Sequence, residues 1–186
     1  MSVPCFHNRK KAGYKRFFGL FFSILVMNTY VMAQQNPTLV GDPRTPYKIL
    51  VGVCERADLY DSSLGFYHEW EYDRYYPDSV AILKISKLPK DYTITIVLGS
   101  WCGDSREQVP RFLKIIDLLG IDSKTLRIIG TDRQKLALTI DISHLNIIRV
   151  PTFIFFRTGN EVGRIIETPE TTLEKEMLKI ITSQPD

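Results

Sequence analysis

The run Tyr92-Thr-Ile-Thr-Ile-Val-Leu98 has no charge and is mostly β-branched, which marks a buried strand. Gly99-Ser-Trp-Cys-Gly-Asp-Ser105 follows at once, a turn-forming stretch that opens a helix. Val109, Phe112, Leu113, Ile116 and Leu119 then recur at spacings of three and four, and Gly120 stops the pattern. Thr125 to Ile129 reads as a second strand. A strand, a helix and a second strand in this order demand a parallel pair joined by a right-handed crossover. Asp132 to Ile140 is expected as a short helix. Val150-Pro151-Thr152 leads into a third strand, Thr158-Gly159-Asn160 makes a hairpin turn, and Glu161 to Glu167 forms the fourth strand. Leu173, Met177, Leu178 and Ile181 share one face of a terminal helix over residues 171–182. The order βαβαββα predicts an α/β fold, a central mixed sheet flanked by helices on both faces.

The front of the chain is of a different kind. Residues 1–33 hold Arg9, Lys10, Lys11, Lys15 and Arg16 and no acid, and Phe17 to Ala33 carry no charge at all. Val31-Met32-Ala33 before Gln34 suits a signal-peptidase site. The segment reads as a signal peptide, with an uncleaved amino-terminal membrane anchor as the alternative. Either way the rest of the chain is expected to be exported, periplasmic or otherwise extracytoplasmic. The whole chain's net charge of +3 turns slightly negative once these five cations are set aside, so no basic footprint for nucleic acid remains. Contact with a membrane is expected only through an uncleaved front segment.

Residues 34–46 are polar, with Pro37, Pro43 and Pro46, and read as an extended arm. Residues 47–90 read as a helical, aromatic-rich extension. Within it Ile49–Val53 is either a short strand or the packed entry to a helix near Glu55. Phe66 and Trp70 stand four apart among tyrosines, which suits a helix burying an aromatic face or lining a ligand groove. Pro77-Asp78 looks like a helix start. The remaining domain is expected over residues 91–186.

Chemistry concentrates at Cys102. A cysteine between a buried strand and a helix sits beside unpaired N–H groups and the positive end of the helix dipole, which favour a thiolate. Thiolate is the species that attacks disulfides. Trp101 can shield the sulfur; Arg106 brings a positive charge near it and Asp104 a negative one. Cys54 is either a buried, idle thiol or a resolving partner for Cys102. His68 and His144 are isolated, and no cysteine or histidine pair has zinc-ligand spacing. No Walker loop, dinucleotide fingerprint or nucleophile elbow occurs. No metal and no cofactor is expected.

Trp101-Cys102-Gly103-Asp104-Ser105 resembles the W-C-G-P-C active-site motif of thioredoxins. Pro110, eight residues after Cys102, matches the helix proline of that family, and Val150-Pro151-Thr152 followed by Phe153-Ile-Phe-Phe156 resembles its cis-proline loop and next strand. The resemblance covers roughly residues 90–183. It implies a thioredoxin-like fold, a cis Val150–Pro151 bond near Cys102, and substrate binding by Val150, Pro151, Gly103 and Asp104. The departures are specific. Ser105 replaces the second cysteine, Asp104 replaces the proline, and Ile96 falls where many thioredoxins place a buried acid. A serine hydroxyl can hydrogen-bond the Cys102 sulfur or cap the helix, but it cannot resolve a mixed disulfide. The function expected is extracytoplasmic thiol–disulfide exchange with Cys102 as nucleophile, acting on protein thiols or disulfides with a small thiol or second protein as resolver. The alternative is a redox-inactive binding or chaperone-like module on the same frame.

Overall fold

A computed structural model describes residues 1, 37–64 and 68–183 of the chain. The expected signal or anchor over 1–33 and the start of the arm fall, Met1 aside, outside the described residues, as do Phe66 and Tyr67 of the aromatic segment. Among the described residues no helix is long and apolar enough to cross a membrane. Gln34–Asp186 forms one compact unit.

Its sheet has six strands: β1 (Thr38–Gly41), β2 (Lys48–Cys54), β3 (Tyr92–Leu98), β4 (Leu126–Gly130), β5 (Thr152–Arg157) and β6 (Asn160–Ile166), in the order β1-β2-β4-β3-β5-β6. Only β3 and β4 run parallel; every other neighbouring pair is antiparallel. Among the described residues four α-helices accompany it: α1 (His68–Arg74), α2 (Ser79–Ser86), α3 (Gly103–Leu118) and α4 (Leu173–Thr182). Asp78 caps α2 by accepting from the Val80 and Ala81 N–H groups, as the Pro77-Asp78 pair foretold.

Side chains alternate across the sheet. Ile96, Leu98, Ile128, Phe153 and Phe155 join Phe112 and Leu113 of α3 and Met177 of α4 in the larger core. Val97, Ile129 and Ile154 point the other way, onto Ala137, Ile142, Leu145 and Val150. That second face is covered by irregular chain. The helix expected over 132–140 is replaced by turns: the Asp132 carboxylate accepts from the Gln134 and Leu136 N–H groups, and Lys135 and Leu138 take positive φ. A side chain that captures backbone donors competes directly with helix formation.

Two other expectations change. Thr38–Gly41, within the expected arm, pairs with β2; Pro37 and Pro43 stand just outside the strand, where no ladder hydrogen bond is lost. The open choice at Ile49–Val53 falls to the strand. It pairs with β4 through Gly52–Gly130, and a Cβ on Gly130 would collide with the Leu50 carbonyl oxygen, so only glycine lets β2 come this close.

Past β2 the chain folds back on α3. Arg56 holds Asp117 through two short contacts of 2.7 and 2.6 Å, the Tyr72 hydroxyl donates to the same carboxylate, and Arg111 reaches Glu71. Buried Glu174 of α4 accepts from the Tyr75 hydroxyl and the Asp78 N–H. His68 is 2% exposed between the Tyr60 and Tyr72 rings. Burial, aided by the Arg56 charge, lowers its pKa from 6.5 to about 4. Its stabilising share is therefore full above pH 6.5 and is lost as pH falls toward 4, because the unfolded chain takes up that proton first. Denaturant unfolding at pH 7 and pH 4.5 should differ by up to about 3 kcal/mol from this source. His68→Phe should flatten the dependence; an unchanged slope in that variant would show that the imidazole is not the cause.

Candidate functional site

The ends of β3 and β4 build the site. Leu98 pairs with Gly130, and its carbonyl accepts from the Thr131 N–H, so Gly99–Cys102 and Thr131–Arg133 leave the sheet at the same end. The Gly99–Cys102 loop is tied at each residue. The Gly99 N–H donates to Ser105 Oγ, the Gly99 carbonyl accepts from the Cys102 N–H, and buried Ser100 Oγ accepts from the Leu50 N–H. A Cβ on Gly99 would lie 2.6 Å from the Trp101 ring, which rests on the bare glycine backbone.

Cys102 is the N-cap residue of α3, in extended conformation (φ −91°, ψ 131°), and its side chain makes no cap hydrogen bond. The half-buried sulfur lies 3.2 Å from the Val150 carbonyl oxygen and 3.9 Å from Asp104 Oδ2. The Val150–Pro151 peptide is cis. Of the residues singled out from the sequence, Cys102, Trp101, Gly103, Asp104, Val150 and Pro151 thus stand around one point.

Ser105 lies beside them but is fully buried, with its oxygen spent on Gly99, a backbone role within the loop. Arg106 turns away from the sulfur as well: it donates to the carbonyls of Ser100 and Leu64, clamping the loop to the segment after β2. Trp101 donates its indole N–H to the Thr131 carbonyl.

Cys54 is in another place altogether. It belongs to the larger core, whereas Cys102 packs against the smaller core on the opposite face. Both thiols are free. Burial pushes Cys54 up to about 12, so it stays a thiol at neutral pH and is a poor nucleophile. The two sulfurs are not brought together.

Two residues that sequence reasoning did not single out complete the surroundings. Arg133 lies over the Trp101 ring, 4.9 Å from its centroid, and Asp42 grips it with both oxygens at 2.8 Å. Arg133 holds the Asp42 carboxyl far below the usual carboxylate range. Their separation along the chain hides this pair from any local pattern. On the other side of Gly103 a cavity of about 560 Å³ opens between Trp70, Glu71, Arg106 and Glu107. Trp70, 60% exposed, forms a wall of that groove, whereas Tyr72 and Tyr75 engage α3 and α4.

A family model described as thioredoxin matches residues 69–180. No curated protein matches the chain. Among solved structures it is similar to a protein of unknown function from Pseudomonas aeruginosa, at 14% identity over 63% of this chain and 81% of that one, with a TM-score of 0.46. It is also similar to mitochondrial thioredoxin 3 from Saccharomyces cerevisiae in oxidized form, at 21% identity over 59% and 98% of the two chains, with a TM-score of 0.36. These structural likenesses are distant, and the assignment rests on the family model, which spans most of the chain from α1 to α4. The chain belongs to the thioredoxin family.

Proposed function

We propose that this protein carries out thiol–disulfide exchange through Cys102 alone, outside the cytoplasm. The observation that carries the reading is the half-buried Cys102 sulfur at the start of α3, 3.2 Å from the carbonyl of the residue before cis-Pro151. A sulfur at a helix N-terminus gains from the local N–H groups when it ionises. An extended substrate can lie along the Val150 backbone, the edge-strand mode of recognition. The Cys102 thiolate attacks one sulfur of a substrate disulfide; a new S–S bond joins Cys102 to that sulfur, and the other leaves as a thiolate. Ser105 supplies no second thiol. The mixed disulfide therefore waits for an external thiol, small or protein-borne, whose thiolate attacks the substrate sulfur and returns Cys102 to its starting state. Trp101 shields the sulfur, while Gly103 and Asp104 line the approach. The cations and apolar run of residues 1–33 support export, and protein thiols or disulfides are the partners proposed.

Reaction of the reduced protein with a small uncharged disulfide such as dithiodipyridine tests this. Peptide mapping should find a stable adduct on Cys102 at neutral pH, with Cys54 unmodified and release only when a thiol is added. An unmodified Cys102 under conditions that modify a free cysteine would overturn the reading and leave a binding module.

A further inference from the structure

We propose that Arg133 selects substrates that carry a carboxylate beside the reacting sulfur. The inference rests on the exchange reading above and adds to it a substrate chemistry.

Three observations carry it. First, the Arg133 guanidinium is fixed: Nε and Nη2 are held by Asp42 and its plane lies over Trp101, which is itself anchored to Thr131. Nη1 takes no part in the Asp42 pair and makes no hydrogen bond to another of the described residues. Second, the pair is exposed unequally. The Arg133 side chain is 20% exposed and that of Asp42 only 2%, so an approaching anion meets the cation with its counter-ion buried behind it. Third, the guanidinium is placed beside the thiol: the Trp101 ring that carries it belongs to the chain neighbour of Cys102. Hydrogen bonding to Asp42 above all, and then the charges of Asp42 and Cys102, raise the Arg133 pKa. A fixed guanidinium pairs with a carboxylate through directed, charge-assisted hydrogen bonds.

The other charged groups around the sulfur do not offer this. Asp104 on α3 stands 3.9 Å from it with the wrong sign. Asp132 is spent on the N–H groups of its own turn. Arg106 is committed to two backbone carbonyls, and Arg149 is paired with Glu167. Arg133 is the cation on the Trp101 side of the site. A carboxylate-bearing disulfide would place its anion on Arg133 while Cys102 attacks, with the bond changes already given.

Iodoacetate and iodoacetamide make the test. Both alkylate a thiolate and release iodide, they are close in size, and only iodoacetate is charged. For Cys102 in the full chain, the ratio of the two rates should fall about 5- to 10-fold in Arg133→Gln. Arg133→Lys should restore most of it. Because Arg133→Gln leaves the buried Asp42 without its partner, the double variant Asp42→Asn/Arg133→Gln serves as the fold control. With a near-native melting temperature it should show the same low ratio. Equal changes in both rates, or an unchanged ratio in the double variant, would falsify the selection and leave Arg133 a packing residue. A wild-type Cys102 inert to both reagents would instead remove the exchange reading itself.

Discussion

Phe112→Ala is expected to lower the unfolding free energy by about 3–5 kcal/mol, the loss typical of deleting a fully buried phenyl ring. Phe112 is 0% exposed and packs on Phe153 at 4.5 Å and Phe155 at 6.1 Å between ring centroids. All three rings are closed in by Ile96, Leu113 and Met177 of the same core, so rigid neighbours on both elements limit how far the cavity can collapse. Set against the 5–15 kcal/mol of an ordinary domain, the loss leaves the variant marginal at best. Urea unfolding followed by circular dichroism should show the midpoint drop with little change in slope. The ring also joins the two halves of the site: α3 begins just after Cys102, and β5 begins just after cis-Pro151. Alkylation of Cys102 in the variant should therefore lose its single-exponential course as α3 loosens from β5. A shift of less than about 1 kcal/mol would mean that this ring is not at the centre of the core.

That core is the part of the molecule most open to reading from residues alone. The β-branched run at 92–98, the three-and-four spacing of α3 and the hairpin turn at 158–160 are local signals, and each element forms within a residue or two of its expected place. What escaped depends on distant partners. The pairing of Thr38–Gly41 with β2 is a property of two strands, and the polar, proline-bearing sequence around β1 says only that the chain is extended there. Residues 132–140 fail as a helix because one carboxylate takes the N–H groups that a helix would need. At the site, Trp101, Cys102, Val150 and Pro151 are recognisable by motif. Asp42 and Arg133 meet across 91 residues of chain, and no spacing rule reaches that far.

The segment before β3 is also more than an appendage. Leu50 donates to Ser100 in the Gly99–Cys102 loop, Leu64 accepts from Arg106, and Asp42 fixes Arg133 beside Trp101. Three separate points of residues 42–64 thus brace the loop that presents Cys102. A loop braced on this scale holds its sulfur in one place without help from a second cysteine, so in the exchange proposed above the placing of the thiol and the release of its adduct are separate roles.

Ser105→Cys divides those roles by experiment. Residues 102 and 105 occupy the N-cap and N3 positions of α3, which face each other across the first helical turn. A thiol at 105 therefore stands next to any mixed disulfide formed at 102. Intramolecular attack replaces a collision with external thiol, and positioning of this kind is worth orders of magnitude in effective concentration. Release of the Cys102 adduct should accelerate by about 100-fold or more, without added thiol, and leave an internal disulfide visible as a mass loss of two hydrogens. The substitution has a cost. The Gly99 N–H loses its oxygen acceptor and gains only a weak sulfur one, about 1 kcal/mol of stability. The first exchange step should stay close to its wild-type rate, because the Val150 carbonyl beside Cys102 is untouched. A long-lived adduct in Ser105→Cys would mean that the buried side of the first turn cannot deliver a thiol to Cys102. The serine would then be there for the loop, through its bond to Gly99, and not as the element that sets how long a partner is held.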